Sequence, residues 1–230
     1  MSGTLYIVST PIGNLKDITL RGLEVLKLSK YILAESSVRS SKLLNEYNIN
    51  KKIITFNKDN EKKKINSITK DLSEGANICL ISDAGTPSVS DPGFELIRSI
   101  DSSINIIPIP GPSSLTAALS ISQIPINQFV FLGFLSKKQK EREGQLLRIR
   151  DMLLPVVVFE SKHRLISLLK NIVDILGPNT KVSIMKELTK LHEEKFYDSA
   201  SSLLENFNQN PLSGEITIII GVPQYENTAM

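Results

Sequence analysis

Cysteine occurs once in the 230 residues and histidine twice. A single Cys79 excludes an intramolecular disulfide. Its place in an apolar run marks it as a small core residue, in a chain expected in a reducing compartment. With only His163 and His192 beside it, a Cys/His zinc site lacks its ligands and no metal is expected. Both histidines read as surface residues, and no Ser–His–Asp arrangement can be argued from spacing. No apolar run approaches the ~20 residues needed to cross a bilayer. The N-terminus enters Leu5-Tyr6-Ile7-Val8 without the basic and long apolar regions of a signal peptide. A cytoplasmic protein is therefore expected. Neither G-x-x-x-x-G-K-[ST] nor G-x-G-x-x-G is present, so the common phosphate cradles are missing as well.

What is present is the pattern of a globular α/β protein. Hydrophobic residues make up 41% and charged residues 22%, the balance of a chain with a sizeable core. The net charge of +3 is a weak pointer to nucleic acid. Apolar runs at Leu5, Tyr31, Ile53, Ile78 and Ile104 alternate with amphipathic helical stretches. That alternation predicts a mainly parallel sheet covered on both faces. Asp17 or Thr19 can cap the first helix. The stretch Gln123-Ile124-Pro125-Ile126-Asn127 reads as a linker, giving domains 1–122 and 123–223 and a polar tail 224–230. In the second half, strands are expected near Phe129, Pro155, Lys181, Lys195 and Glu215. Ser161 can cap the helix after the second of these, Gly177-Pro178 stops that helix, and the Glu215 strand is placed at the sheet centre.

Three loops that follow strands of the first half share an unusual composition: 10–14, 83–93 and 108–114. Pro11, Pro87, Pro92, Pro108, Pro110 and Pro112 each remove a backbone N–H. Asp83 and Asp91 add negative charge. A phosphate site needs free N–H groups, so these loops suit the opposite kind of ligand, one with a positive centre and hydroxyl or amine donors. S-adenosylmethionine has a sulfonium, an ammonium and a ribose diol; stiff turns without a ligand are the plainer alternative. A second feature is the basic stretch Lys137, Lys138, Lys140, Arg142, Arg148 and Arg150, which is either a solvated helix face or a contact with a phosphate backbone. It has no interleaved aromatics, so base stacking is not indicated. A third is the set of strand-end carboxylates Glu35, Asp83, Glu160, Glu187 and Glu215, which solvate an edge or converge to accept a proton.

Six motifs in order carry a resemblance over roughly residues 3–222. They are Thr10-Pro11-Ile12-Gly13-Asn14-Leu15-Lys16-Asp17-Ile18-Thr19, Ser82-Asp83-Ala84-Gly85-Thr86-Pro87 with Asp91-Pro92-Gly93, Pro110-Gly111-Pro112-Ser113, Gly133-Phe134-Leu135, Glu160-Ser161-Lys162-His163-Arg164, and Lys186-Glu187-Leu188-Thr189-Lys190. In this order the chain resembles the bacterial 16S ribosomal RNA cytidine-2′-O-methyltransferases. These belong to the tetrapyrrole-methylase (class III) group of S-adenosylmethionine-dependent enzymes. The resemblance implies two α/β domains with the donor in the interdomain cleft, a homodimer, and a cytidine ribose of the decoding region of 16S rRNA in the small ribosomal subunit as substrate. It implies donor contacts from Pro11, Ile12, Gly13, Asp83, Gly85, Thr86, Val89, Ser113, Ser114 and Glu215. RNA contacts would come from Lys137, Lys138, Lys140 and Arg142. Glu35, Asp83 and Glu187 are the candidate bases, with Lys186 orienting the hydroxyl.

Two departures stand out. The family's Ala-Glu-Asp-Thr-Arg is here Ala34-Glu35-Ser36-Ser37-Val38, with Arg39 one place late. Members also commonly continue with a basic helical extension beyond the point where this sequence stops, which is expected to weaken RNA grip or move it to 137–150. Tetrapyrrole C-methylation, diphthine-type methylation and a weakened RNA- or donor-binding protein are the competing expectations.

Overall fold

The computed structural model describes residues 2–222. The expected tail at 224–230 lies outside them. The chain forms two compact units that divide between Ser113 and Ser114, ahead of the 122/123 boundary read from the linker.

The first unit holds strands β1 (Thr4–Val8), β2 (Tyr31–Ala34), β3 (Ile53–Thr55), β4 (Ile78–Ile81) and β5 (Asn105–Ile109), with helices α1 (Leu20–Leu28), α2 (Ser37–Glu46), α3 (Glu61–Ser73) and α4 (Phe94–Ser99). The sheet order is β3-β2-β4-β1-β5, and all its pairs are parallel as predicted. The central strands β2 and β4 are wholly buried. Their side chains alternate between two cores. Tyr31, Leu33, Ile78 and Leu80 pack with Phe56, Ile68, Leu72 and Leu96 on one face. Ile32, Ala34, Cys79 and Ile81 pack with Val25, Leu26 and Leu44 on the other. Each such Leu or Ile contributes about 1.5–3 kcal/mol by leaving water. Thr19 is the cap of α1, its Oγ1 accepting from the Gly22 N–H at 3.0 Å. Because the strands run parallel, the loops after all five leave from one edge of the sheet, where ligands of such sheets bind.

The second unit holds α5 (Ser114–Ser120), β6 (Val130–Phe134), α6 (Gln139–Met152), β7 (Val156–Ser161), α7 (Leu165–Leu176), β8 (Lys181–Lys186), β9 (Glu194–Ser199), α8 (Ala200–Gln209) and β10 (Glu215–Ile220). Its order is β6-β7-β10-β8-β9. Here only β6–β7 is parallel; the other pairs are antiparallel. The connection between β8 and β9 is too short for a helical crossover, so they form a hairpin. β10 sits at the sheet centre, as the sequence predicts. α5 packs against β10, which explains why the division falls before α5. Ser161 does not cap α7. It ends β7, and Arg164 takes the N-cap position without a side-chain cap bond.

Candidate active site

In the first unit the strand-end loops are tied to one another. Thr10 and Gly85 form an antiparallel bridge through N–H···O bonds of 2.9 and 3.0 Å. The Thr10 hydroxyl donates to the Ser82 carbonyl at 3.1 Å, and the Ser9 and Thr86 hydroxyls lie 2.9 Å apart. The loop after β4 is therefore docked on the loop after β1. Pro11 and Ile12 are buried and Gly13 is exposed; Gly85 is buried, Thr86 half-buried and Val89 exposed. Gly93 closes the β4 loop at φ +133°, and a Cβ there would lie 2.5 Å from Ser88 Oγ and 2.8 Å from Leu80 Cδ2. Ser88 and Ser90 also carry positive φ, 68° and 67°, an uncommon and costly state for such residues. A plain turn would not need this.

The same edge gathers three carboxylates. Asp83 Oδ1 accepts from the Ser36 N–H at 3.0 Å, and Asp83 Oδ2 meets Arg39 Nη1 at 3.1 Å. Arg39 thus reaches the loop from one place beyond the family position. Burial, and then the neighbouring Asp83, hold the Glu35 carboxyl above its ordinary range, against the pull of Lys58 and Arg39. Asp91 is pushed up to about 6 by burial, then by Glu35 and Asp83; the Ser82 hydroxyl and Lys58 oppose this. In the sequence Asp91 shows only as loop charge. The signal for more is there, since two aspartates in one strand-end loop must share a small volume.

In the second unit the strand-end acids neutralise one another's surroundings locally. Glu187 Oε1 accepts from the Glu215 N–H at 2.7 Å and from Lys190 Nζ at 3.0 Å, while Lys190 Nζ also holds Glu215 Oε2 at 2.9 Å. Burial alone would raise the Glu187 carboxyl, but these donors outweigh it and hold it below its ordinary range. Lys186 Nζ pairs with Glu194 Oε2 at 2.8 Å. Gly214 sits at φ +100°, and a Cβ there would fall 2.5 Å from Glu187 Oε1, so the turn before β10 is shaped around that carboxylate. The sequence assigns Lys190 no role of its own, although it stands three residues from Glu187.

The basic stretch divides. Lys137, Lys138 and Lys140 are exposed, Lys138 pairing with Glu141 at 2.9 Å. Arg142, expected among the RNA contacts, is only 4% exposed. Its Nε donates to Asn171 Oδ1 at 2.8 Å and its Nη2 to Ser167 Oγ at 2.6 Å. It shares the inward face of α6 with Leu146 and Ile149, and its charge is not offered to a ligand. Glu160 is likewise buried, pairing with Arg164 at 3.1 Å. Burial raises its carboxyl against that pairing. His163 and His192 are exposed.

The loops of the first unit fit a cationic, donor-rich ligand. Burial, and then acidic neighbours, hold the Glu35 and Asp91 carboxyls above the ordinary range despite Lys58 nearby, and the buried Ser88 Oγ has no hydrogen-bond partner among the described residues. Among the described residues no group of three or more His, Cys, Asp or Glu is arranged around a metal ion, and no helix is long and apolar enough to cross a membrane.

Comparison with known proteins agrees with this geometry. Residues 4–223 match the tetrapyrrole (corrin/porphyrin) methylases. A protein of Thermotoga maritima named ribosomal RNA small subunit methyltransferase I is 42% identical over 219 residues, covering 95% of this chain and 98% of the relative. Proteins of the same name from Escherichia coli O157:H7 and Mycoplasmopsis pulmonis are each 39% identical over 221 residues. They cover 95% and 96% of this chain and 77% and 98% of the relatives, so relatives of both lengths occur. Among solved structures, cobalt precorrin-4 methyltransferase aligns with a TM-score of 0.70 at 16% identity, covering 95% of this chain and 94% of that one. Diphthine synthase aligns at 0.71 and 13% identity, covering 95% and 90%. These two share the fold alone. The chain belongs to the tetrapyrrole (corrin/porphyrin) methylase family and, within it, to the ribosomal RNA small subunit methyltransferase I group.

Proposed function

We propose that this protein methylates the 2′-oxygen of a cytidine ribose in the decoding region of 16S ribosomal RNA, with S-adenosylmethionine as donor, as a cytoplasmic homodimer. The observation that carries this reading is the match to relatives of that name across 95% or more of the chain. The acceptor-rich edge of the first unit supports it. Pro11, Ile12, Gly13, Gly85, Thr86 and Val89 belong to the loops that would enclose the donor. Asp91 and Glu35 would supply the negative field that favours a cation. Ser113 lies at the end of the same unit, and Ser114 opens α5.

When bound, the donor supplies an electrophilic methyl group on a sulfonium centre. The chain's own part is positioning and proton management. A ribose hydroxyl is a poor nucleophile at neutral pH, so an acceptor for its proton lowers the barrier. Of the three candidate bases, Asp83 has both oxygens engaged by Ser36 and Arg39, and Glu187 Oε1 is engaged by Lys190 and Glu215. Glu35 makes no ion pair among the described residues and holds a proton more tightly than a solvated carboxylate. It is the proposed acceptor, with Lys137, Lys138 and Lys140 as RNA contacts and no metal in the step.

The test incubates the protein with labelled donor and 30S subunits that lack the modification, then maps label by nuclease digestion and mass spectrometry. Label on one decoding-region cytidine ribose is expected. Label on a base, or none while donor still binds, would refute the reading. The altered segment 34–38 is the observation that favours the second reading, a binding protein of weakened activity; the contact of Arg39 with Asp83 speaks against it.

A further inference from the structure

Residues 57–64 lead from β3 into the first turn of α3 and carry Lys58, Lys62, Lys63 and Lys64 against Asp59 and Glu61. The Phe56 N–H donates to the Ala34 carbonyl at 2.7 Å, so the chain leaves β3 beside Glu35, on the edge where the acceptor loops gather. Lys58 stands near enough to lower the proton affinity of both Glu35 and Asp91. Lys58, Lys62 and Lys63 are exposed. Among the described residues none of them lies within ion-pair distance of an acid, whereas Lys30, Lys70, Lys138, Lys186 and Lys190 each have one. Lys64 differs, since its ammonium donates to the Thr55 carbonyl.

This placement works against α3. Lys62 and Lys63 lie in its first turn, where the helix dipole favours acids and a lysine costs about 0.3–1 kcal/mol. Asn60 at the N-cap makes no side-chain cap bond there to offset this. A helix shaped for stability alone would carry the opposite charge. Phe56, the nearest aromatic in sequence, is buried, and residues 57–64 contain no aromatic, so the segment offers point charges without a stacking surface of its own. That chemistry recognises a phosphodiester backbone and leaves base identity unread.

We propose that Lys58, Lys62 and Lys63 hold the RNA backbone flanking the target ribose, which gives the first unit an RNA-binding surface of its own. The inference rests on the rRNA methyltransferase reading and deepens it. The test measures binding to 30S subunits and to naked 16S RNA across a salt series, alongside the methyl-transfer KM and donor binding by calorimetry. It compares wild type, K58A/K62A/K63A and K58R/K62R/K63R. The alanine variant is expected to bind both RNAs about tenfold more weakly at low salt. Its salt slope should be smaller by about 0.7–0.9 for each phosphate no longer neutralised. KM should rise, donor affinity should not fall, and the arginine variant should restore the slope. An unchanged slope and KM in the alanine variant, with the wild type active, would overturn the inference and leave the methyltransferase reading intact. Weaker binding to 30S subunits but not to naked RNA would also overturn it, pointing to a protein partner. A wild type that methylates no small-subunit RNA would overturn both.

Discussion

Two strand-end clusters, one in each unit, carry carboxylates in opposite states. In the first unit burial, and then acidic neighbours (Asp83 for Glu35, Glu35 and Asp83 for Asp91), hold Glu35 and Asp91 above the ordinary carboxylate range. In the second, Glu187 and Glu215 are bridged by Lys190, and Glu187 is held below it. The same residue type in the same kind of place does different work. In the first cluster Arg39 pairs with Asp83 alone, while Glu35 and Asp91 have no ion pair among the described residues and gain from a positive ligand. The second contains its own counter-ion and serves to fix the turns around β8 and β10. The difference teaches that a strand-end acid is read as a site by what its neighbours leave undone.

The largest effect expected from breaking this contrast lies at Gly93. A Gly93→Ala change forces a side chain into positive φ against Ser88 and Leu80 and should cost about 2–4 kcal/mol, measured as a fall in the urea midpoint with m unchanged. Donor binding should fall with it, because the loop cannot close in its present form. In the second unit Lys190→Met should cost about 1 kcal/mol at neutral pH, since Lys190 and Glu187 are only partly exposed and Glu215 is 70% exposed;. Because Glu187 is depressed in the fold, its contribution is present at neutral pH and lost as pH falls through its folded value. The difference between Lys190→Met and wild type should therefore shrink in acid, as read by thermal melts across pH. A difference that grew in acid would contradict the arrangement described. The smallest effect is expected for Arg39→Ala. Its side chain is 69% exposed, so the change should cost no more than about 0.5–1 kcal/mol, with Asp83 still held by the Ser36 N–H. Melting should barely move, while donor affinity should rise slightly as the cluster loses a neighbouring cation.

Much of this was legible in the sequence because the first unit obeys local rules. Four- and five-residue apolar runs mark the strands, and Thr19 and Gly177 mark a helix start and a helix end at the right residues. The loops around Pro11 and Asp83 stand out by composition, and the structure ties them together through the Thr10–Gly85 bridge. What was not legible depends on tertiary partners. Arg142 stands in a run of lysines and glutamates that reads as solvated, yet it lies four residues before Leu146 and seven before Ile149, on the buried stripe of α6. That spacing is the signal that places it. The bridge from Lys190, in the loop after β8, to Glu215 at the start of β10 is a contact that no local pattern encodes, although its pairing with Glu187 three residues away is local. The place of α5 follows from its packing on β10, and the apparent linker after it conceals that contact.

The central claim is that the first unit's acid-rich edge holds a cationic donor. Its most direct test is a calorimetric titration of S-adenosylmethionine between pH 5 and pH 7.5, on wild type and Asp91→Asn. Burial, then Glu35 and Asp83, push Asp91 up to about 6 against the Ser82 hydroxyl and Lys58. Below that value it is neutral and attracts a cation less. Wild-type affinity should therefore rise several-fold from pH 5 to pH 7.5, with protons released on binding near pH 6. Asp91→Asn should bind more weakly at pH 7.5 with a shallower pH dependence. Equal affinities and the same pH profile in both proteins would contradict the claim.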